Sequence, residues 1–312
     1  MSGTYILRKG HAQLSDLIDG GSMYGYPGPL YPGKNYYVNN ITGTSGASGA
    51  TWGDAMDQVS TAITASEAHQ ATHVSSSNRN IANNIFVQGT NTVYTGITDT
   101  GERSNFVGVS AGQMMDNGSG QPRIGSGTDG DGVLDATNSR GNSWYNLQFL
   151  FGNTGHYGFS NSAYIQRSRF TECTFMQGTN GGTACFRAVA ITGTLVERCN
   201  FVHNSSLPAT YGVTITGQNS DCRWIGNVFA SGSTALFNVT GNGVNTIIAG
   251  NYFNPPYLSA VGFLDSSAAS LQMLAGNYFA STTYLTDPLD RTNDMATVGN
   301  AVAGTADFVS AS

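Results

Sequence analysis

A phenylalanine recurs at a nearly constant interval through the second half of the chain. It stands at positions 149, 175, 201, 229, 253 and 279, which are separated by 26, 26, 28, 24 and 26 residues. Five positions before each of them the residue is apolar: Trp144, Phe170, Val196, Trp224, Ile248 and Leu274. A unit of this length is too short to close a hydrophobic core by itself, so the units must stack on one another.

The residues inside each unit favour short strands. Apolar pairs such as Val189 and Ile191, or Val213 and Ile215, alternate with the two-residue period of a strand. Glycine accounts for 41 of the 312 residues and charged residues for only 10%, which is typical of many short strands joined by turns. We therefore expect equivalent residues of successive units to align at the strand spacing of about 4.8 Å.

A second series of residues stands two positions before the phenylalanine. From the second unit onward its members are small polar or thiol side chains: Cys173, Cys199, Asn227, Asn251 and Asn277. Stacked asparagines can hydrogen-bond from coil to coil, and asparagine tolerates the left-handed backbone conformation of a turn. We predict that these residues form an internal ladder, in which the two cysteines are buried free thiols.

The coil motifs IIAGNYF, LQMLAGNYF and WIGNVF resemble those of right-handed parallel β-helices of the pectin-lyase-like superfamily. The stretch KNYYVNNITGTSGASGATWGDAMDQVSTAI is similar to the strand-plus-helix cap of phage and bacterial members, where a short helix covers the open end. The predicted helix starts after Thr51 as N-cap and buries one face, made of Trp52, Ala55, Met56, Val59 and Ile63. The resemblance covers about residues 34–280 and implies a fold, whereas the superfamily has many functions.

The predicted fold is an all-β, right-handed parallel β-helix with an extended N-terminal arm and a short capping α-helix. Its parts are the arm (1–33), the cap of one strand and one α-helix (34–80), the β-helix coils (81–283) and a C-terminal tail or cap (284–312). The arm is rich in Gly, Pro and Tyr and buries little apolar surface alone, so we expect it to lie on a partner.

Charge and hydropathy exclude several classes of protein. A net charge of −6 disfavours binding to nucleic acids and to anionic membranes. The chain contains no apolar run of about 18 residues, so we expect no membrane insertion. The first residues lack the apolar segment of a signal peptide, so we expect reduced cysteines made in the cytoplasm. The four cysteines show no C-x-x-C spacing, and we predict neither a metal nor a cofactor.

Enzymes of the resembled superfamily carry clusters of acidic and basic residues that are missing from this sequence. The polygalacturonase motifs N-T-D, D-D and R-I-K are absent, and TGHYG only distantly matches G-H-G, so we interpret His156 as a loop histidine. The stretch GTDGDGVLD begins like a calcium loop but continues with Val133 where an oxygen ligand is needed. We interpret its acidic residues as a solvated turn: Asp129, Asp131 and Asp135.

Glu172 and Glu197 are the two residues that we consider for catalysis. Glu172 and Arg198 both stand three residues before their phenylalanine on successive coils, so they should stack as a surface ion pair. Asp221 and Arg223 also lie near this pair on the coil map. Glycoside hydrolysis generally uses two carboxylates, and none is in register with Glu172, so an enzyme is the less favoured hypothesis.

Outward positions of the last two coils are apolar: Ile247, Tyr252, Met273 and Tyr278. An exposed apolar patch of this kind marks an interface. Three coverings remain open: the C-terminal tail of the same chain, identical subunits, or the sugar rings of a polysaccharide stacked on the tyrosines.

These expectations favour a non-enzymatic surface protein of a phage virion, either a capsid decoration (cement) protein or a tail spike. It would be held to a capsid or tail protein through residues 1–33, form a homotrimer and contact host polysaccharide. The alternative is a polysaccharide-degrading enzyme: a tailspike depolymerase, a lyase or a glycoside hydrolase. A secreted adhesin is disfavoured, because no signal peptide is recognised.

Overall fold

A computed structural model of the chain describes residues 32–72, 81–110, 120–203, 207–256, 260–265, 270–280, 285–286, 295–302 and 308–309. The first strands are β1 (Pro32–Val38), β2 (Ala82–Gln88), β3 (Ser104–Val109), β4 (Arg123–Gly125), β5 (Val133–Asp135), β6 (Asn138–Arg140), β7 (Ser143–Tyr145), β8 (Gln148–Phe151), β9 (Tyr157–Gln166), β10 (Arg169–Thr171), β11 (Thr174–Gln177), β12 (Ala184–Thr192), β13 (Leu195–Glu197) and β14 (Asn200–His203). The remaining strands are β15 (Tyr211–Ile215), β16 (Asn219–Ser220), β17 (Arg223–Ile225), β18 (Val228–Phe229), β19 (Ala235–Val239), β20 (Gly243–Ala249), β21 (Tyr252–Phe253), β22 (Val261–Asp265), β23 (Ser270–Ala275), β24 (Tyr278–Phe279), β25 (Leu285–Thr286), β26 (Met295–Val298), β27 (Asn300–Val302) and β28 (Phe308–Val309). A 3-10 helix, Trp52–Asp54, and the α-helix α1, Val59–Thr72, precede the coils.

The strands form two sheets of 19 and 9 strands, and neighbouring strands come from successive coils. The paired strands run parallel, except that β28 joins β27 in the antiparallel sense. Strands β8, β11, β14, β18, β21 and β24 pair in register, so each repeated phenylalanine lies beside the next one. The predicted all-β, parallel β-helix is therefore confirmed, and the 26-residue interval is the length of one coil.

The repeated phenylalanines form a stacked column inside the coil. Their ring centroids are 5.1, 4.8, 4.8, 4.8 and 4.6 Å apart from Phe149 to Phe279. The separations match the strand spacing of about 4.8 Å, because the backbone hydrogen bonds set the distance between coils. Trp144 and Trp224 are also fully buried beside this column, so the interior is a continuous aromatic core.

The capping helix is shorter than predicted. α1 starts at Val59 and packs Val59, Ala62 and Ile63 against the first coil. Residues 51–56 are not α-helical because their backbone bonds to β1: the Met56 amide donates to the Tyr37 carbonyl at 2.9 Å. The predicted N-cap and the burial of Trp52 are consequently wrong, since Trp52 is 38% exposed in a 3-10 turn.

The strands extend past two of the predicted boundaries, at residue 33 and at residue 283. β1 starts at Pro32, and residues 1–31 of the predicted arm lie outside the described residues. At the other end, β26 pairs with β23 and β27 pairs with β24. The larger sheet thus continues past residue 283 as far as Val298, and the smaller sheet as far as Val309. Among the residues that the structure describes, no helix is long and apolar enough to cross a membrane.

Each coil turns sharply at one residue with a left-handed backbone, which directly precedes the predicted ladder position. These residues have φ between 51° and 64°: Asn146, Glu172, Arg198, Gly226, Gly250, Gly276 and Gly299. We call this row the outer corner. The prediction that the ladder asparagines themselves take the left-handed conformation is therefore wrong, and the asparagines have a different role.

The ladder asparagines hydrogen-bond in a chain along the coil axis. The side-chain oxygen of Asn251 accepts from the backbone and side-chain nitrogens of Asn227 at 2.8 and 3.0 Å. The side-chain nitrogen of Asn251 donates to the Trp224 carbonyl and to the Asn277 side-chain oxygen, both at 2.9 Å. Asn300 continues the ladder by accepting from Asn277. These bonds satisfy buried polar groups that the turn would otherwise leave without partners.

A second buried polar column, which sequence reasoning missed, lies on the other side of the short strands β7, β10, β13 and β17. Its members stack coil on coil: Ser104, Asn142, Ser168, Thr194, Cys222 and Thr246. The Asn142 side chain accepts from the Ser104 amide at 2.9 Å, as in the first ladder. Because its members differ in residue type, this column leaves no repeated residue in the sequence.

All four cysteines are free and fully buried, as predicted for the ladder thiols Cys173 and Cys199. Burial raises the pKa of the Cys185 and Cys222 thiols to about 12 and raises that of Cys199 well above its usual value. Because the thiolate is the nucleophile, we expect no reaction of the native protein with Ellman's reagent at mildly alkaline pH. Denaturant should release all 4 thiols. If the thiols of the native protein react with Ellman's reagent as fast as those of the denatured chain, the burial is contradicted.

Candidate functional site

The short strands β7, β10, β13 and β17 present a narrow face to solvent, which we call the middle face. Their central residues are fully buried: Trp144, Phe170, Val196 and Trp224. The first and third residues of each strand consequently point outward, because side chains alternate along a strand. This face borders the outer corner, so side chains from the strands and from the turn meet there.

Four charged residues meet where the middle face joins the outer corner, and we call them the charged corner: Arg169, Glu172, Glu197 and Arg198. Arg198 Nε donates to Glu172 Oε1 at 3.1 Å, and Arg198 Nη2 lies 3.7 Å from Glu197 Oε1. Arg169 also forms an ion pair with Glu197. The two carboxylates considered for catalysis are therefore linked through one guanidinium group.

The backbone at the charged corner is unusual for the residues it carries. Glu172 and Arg198 have φ values of 54° and 51°, whereas the next four coils place glycine at the same position. A left-handed backbone costs a residue with a side chain about 1 kcal/mol or more. Side chains kept at such a cost often belong to functional sites, so the charged corner is the strongest candidate for function on the middle face.

Neighbouring hydroxyl groups complete the charged corner. Burial raises the pKa of the Tyr145 hydroxyl, and its hydrogen bond to Glu172 raises it further. Thr171 Oγ1 donates to Glu197 Oε1 at 3.2 Å. Sequence reasoning missed both residues, although Tyr145, Thr171 and Glu197 are spaced by one coil length and pair in register. The 26-residue interval that indicated the fold also predicts that Tyr145 and Thr171 lie beside Glu197.

The other charged residues near this pair on the coil map do not join it. Asp221 is exposed and accepts from the Asn245 side chain at 3.2 Å. Arg223 is also exposed. It stacks on Leu195, and Leu195 in turn stacks on Arg169, so an apolar residue separates the two arginines. The charged corner thus consists of two carboxylates already paired with guanidinium groups. It can bind polar or charged ligands, but it does not present an acid and a base across an open cleft.

A second cluster brings together residues that the sequence suggested were unrelated. His156 Nδ1 lies 3.1 Å from Asp131 Oδ2, and its Nε2 lies 3.1 Å from Asp129 Oδ1. Asp131 also accepts from the Tyr157 amide at 2.6 Å. Because the two carboxylates lie on opposite nitrogens of the ring, the cluster clamps the imidazole. The contact between Asp131 and Tyr157 could have been predicted from the sequence, because the two residues are one coil length of 26 residues apart.

The acidic stretch is not uniformly solvated, which corrects the sequence interpretation. The side chain of Asp129 is 71% exposed, whereas Asp135 is fully buried. Asp135 accepts from the hydroxyl groups of Thr100 and Thr137 at 2.5 and 2.7 Å. Four donors from two threonines satisfy this carboxylate, which accounts for its burial. Among the described residues, no three His, Cys, Asp or Glu side chains are arranged to hold a metal ion.

The His156 cluster predicts a dependence of stability on pH. The hydrogen bond to Asp131 and the nearby charges of Asp131 and Asp129 raise the pKa of His156. The stabilising effect should be complete below the unfolded-state pKa of about 6.5 and should disappear as pH rises through the higher folded-state pKa. Proton NMR of the ring should show a pKa above about 6.5. His156→Gln should abolish this part of the pH dependence, and an unchanged profile would contradict the assignment.

The structure places the predicted apolar patch on the outside of the last coils. Tyr252, Met273 and Tyr278 are 41%, 36% and 42% exposed, and Ile247 is half-buried. The rings of Tyr252 and Tyr278 stack with centroids 5.4 Å apart. These exposed fractions place the three side chains on the outer surface of the coil.

A surface depression of about 440 Å³ lies at a bend between strands. It is lined by Gly217, Gln218, Ser220, Gly241, Asn242 and Val244. The Gln218 side chain accepts from the Tyr164 hydroxyl at 2.5 Å and donates to Ser220 at 2.9 Å. The lining has hydrogen-bonding groups but no carboxylate, imidazole or thiol, so it offers no acid–base chemistry.

Comparison with known proteins gives little beyond the fold. No protein-family model and no curated protein matches this sequence. Among solved structures, the chain is similar to the pectin methylesterase of Aspergillus niger in deglycosylated form. The identity is 11%, the match covers 91% of this chain and 93% of that chain, and the TM-score is 0.36. At this level of likeness no activity can be transferred, so functional inference depends on the residues themselves.

Proposed function

We propose that this chain is a non-enzymatic structural β-helix displayed on the surface of a phage virion. The observation that carries the proposal is the pairing at the charged corner. Glu172 and Glu197 are both paired with guanidinium groups, at an outer turn of the coil and not across a cleft. Such a network positions side chains and binds polar groups, but it lacks the free acid and base that sugar hydrolysis requires.

The coil itself suits a display role. Its backbone is hydrogen-bonded from coil to coil, and its interior is a continuous aromatic column with a hydrogen-bonded ladder beside it. The cap that precedes the coils resembles that of phage members of the superfamily. In this proposal, residues 1–33 attach the chain to a capsid or tail protein, identical chains associate as a homotrimer, and the outer faces contact host polysaccharide.

Attachment can be tested with particles of the phage that encodes the chain. Particles assembled without the protein should bind the full chain during sedimentation, and a chain that begins at Lys34 should stay in the supernatant. The truncated chain must keep the circular dichroism spectrum of the full chain as a control. Equal binding of both chains would exclude attachment through the arm, and binding of neither would remove the virion proposal.

The alternative is a polysaccharide-degrading enzyme, and the His156 cluster favours it. Asp131 orients the imidazole, while Nε2 faces the exposed Asp129, which is an arrangement that could transfer protons. Reducing-sugar and unsaturated-uronate assays on host polysaccharides should detect no product with the wild-type protein. Turnover that disappears in Glu172→Gln, Glu197→Gln or His156→Asn would establish the enzyme instead.

A further inference from the structure

We infer that Asn180 is a site of spontaneous deamidation and that the product places a new negative charge beside the loops that hold His156. Asparagine is a thermolabile residue, and a glycine after it leaves the neighbouring amide unhindered. The sequence contains three Asn-Gly pairs, at positions 117–118, 180–181 and 242–243. The first pair lies outside the described residues, whereas the other two have very different surroundings. The reaction needs no partner, so it is independent of the proposed function.

The only co-reactant of the modification is water. The backbone nitrogen of Gly181 attacks the side-chain carbonyl carbon, Cγ, of Asn180. A bond from this nitrogen to Cγ forms and closes a five-membered succinimide, while the bond from Cγ to Nδ2 breaks. The side-chain NH2 group leaves as ammonia with the proton of the backbone nitrogen. Water then opens the ring at either carbonyl, which gives aspartate or isoaspartate and therefore one carboxylate that asparagine lacks.

The structure leaves both reacting groups of Asn180 and Gly181 accessible. Asn180 is exposed in a turn between β11 and β12. The Gly181 amide, which is the nucleophile, donates no hydrogen bond within the part of the chain that the structure describes. Gly181 has a φ of +78°, and an added Cβ atom would meet no atom within 4 Å. The succinimide can therefore form without breaking a backbone hydrogen bond of this amide.

Asn242 has the same glycine after it but lies at the start of a paired strand. Gly243 is buried and pairs in register with Asn219 on one side and Ser270 on the other. The Asn242 carbonyl accepts from the Asn219 amide at 2.9 Å, so the peptide unit between Asn242 and Gly243 is held in the ladder. Ring closure must rotate this peptide unit and consequently requires local opening of the strand. We expect Asn242 to be protected, although its side chain is also exposed.

The charge gained at position 180 falls next to the loop that contacts His156. The Asn180 side-chain nitrogen donates to the Thr128 carbonyl at 3.0 Å. The next residue, Asp129, lies 3.1 Å from His156 Nε2. Conversion removes the donor to Thr128 and adds a carboxylate near Asp129. An additional negative charge favours the protonated imidazole, so it should raise the pKa of His156 beyond the effect of Asp131 and Asp129.

Peptide mapping of the purified full chain tests the site. After prolonged incubation in mildly alkaline buffer, the tryptic peptide 170–187 should gain the mass of deamidation, and Asn180 is its only asparagine. The product should separate into aspartate and isoaspartate forms. Asn242 should react about tenfold more slowly or less, because its strand must open first. In denaturant the two rates should become similar, since both pairs are then unprotected.

Two outcomes would overturn the assignment of the site. One is an Asn180 that stays intact in the native chain while it reacts in denaturant, and the other is an equal rate at Asn180 and Asn242 in the native chain. Asn180→Gln is the matched control, because it keeps a side-chain amide but would have to close a six-membered ring. Its peptide should stay unmodified, and an equal mass gain would assign the change to Gln177 instead.

Asn180→Asp tests the consequence with a homogeneous protein. Proton NMR should give a higher pKa for His156 in this variant than in the wild type, and Asn180→Gln should leave it unchanged. The other charged group near this ring is Arg187, which lies over the adjacent Tyr157 ring and is the same in all three proteins. An unchanged His156 pKa in Asn180→Asp would refute the electrostatic link. These measurements use the isolated chain, so their failure is separate from failure of the virion proposal.

Discussion

Replacing Asn251 by alanine should lower the free energy of unfolding by about 3–5 kcal/mol. The change removes the acceptor for the Asn227 amide at 2.8 Å and the donor to the Trp224 carbonyl at 2.9 Å. It also removes the donor to the Asn277 side chain. All these groups are buried, and each unsatisfied buried polar group costs about 1–3 kcal/mol. Urea unfolding followed by tryptophan fluorescence measures the difference.

Asn254→Ala is the matched control, because Asn254 lies three residues away and its side chain is exposed. Its effect should stay within about 0.5 kcal/mol. Asn251→Cys should fall between the two variants, since Cys173 and Cys199 already occupy the same column. A loss below about 1 kcal/mol in Asn251→Ala would show that the ladder is not a main source of stability.

Phe201→Ala should be at least as destabilising, by about 3–5 kcal/mol. Phe201 is fully buried, and its ring stacks between those of Phe175 and Phe229 with both centroids at 4.8 Å. Removal leaves a cavity in a column whose spacing is held by backbone hydrogen bonds, so the coils cannot move together to fill it. The urea midpoint should fall without a change in the slope of the transition.

The outer tyrosine stack is the control for the inner column. Tyr252 is stacked on Tyr278 with the same coil geometry, but it is 41% exposed. Tyr252→Ala should therefore cost only about 0.5–1.5 kcal/mol in a monomer. Equal losses in Phe201→Ala and Tyr252→Ala would mean that stacking, and not burial, dominates the energetics of the column. The Tyr252 variant must be measured where association does not contribute.

Local patterns predicted the capping helix only in part. The apolar period of residues 51–63 continued smoothly, so it gave no sign that the helix starts at Val59. Backbone bonds from Met56 to β1 hold Met56 in place, and the residues before it form a 3-10 turn instead of the first turn of an α-helix. These bonds join residues that are distant in the sequence, and a helical period cannot report them.

At the charged corner, the sequence predicted one ion pair between Glu172 and Arg198, whereas the structure has a network of four charged residues. The coil interval placed Glu172 beside Arg198, and the distance of 3.1 Å agrees with it. The approach of Arg169 and Arg198 to Glu197 depends on how long side chains bend across the surface, which the spacing of residues does not specify. His156 shows the same limit, because its clamp forms between loops that leave the coil.

The Phe and Asn columns of the interior could be derived from the amino-acid order alone. Backbone hydrogen bonds impose one coil length, so a buried column that repeats one residue type is visible in the sequence, whereas the buried column from Ser104 to Thr246 mixes residue types and was not. The exterior could not be derived in this way. Outward side chains are free of that packing constraint, and folding alone decided which of them meet and which apolar side chains remain exposed.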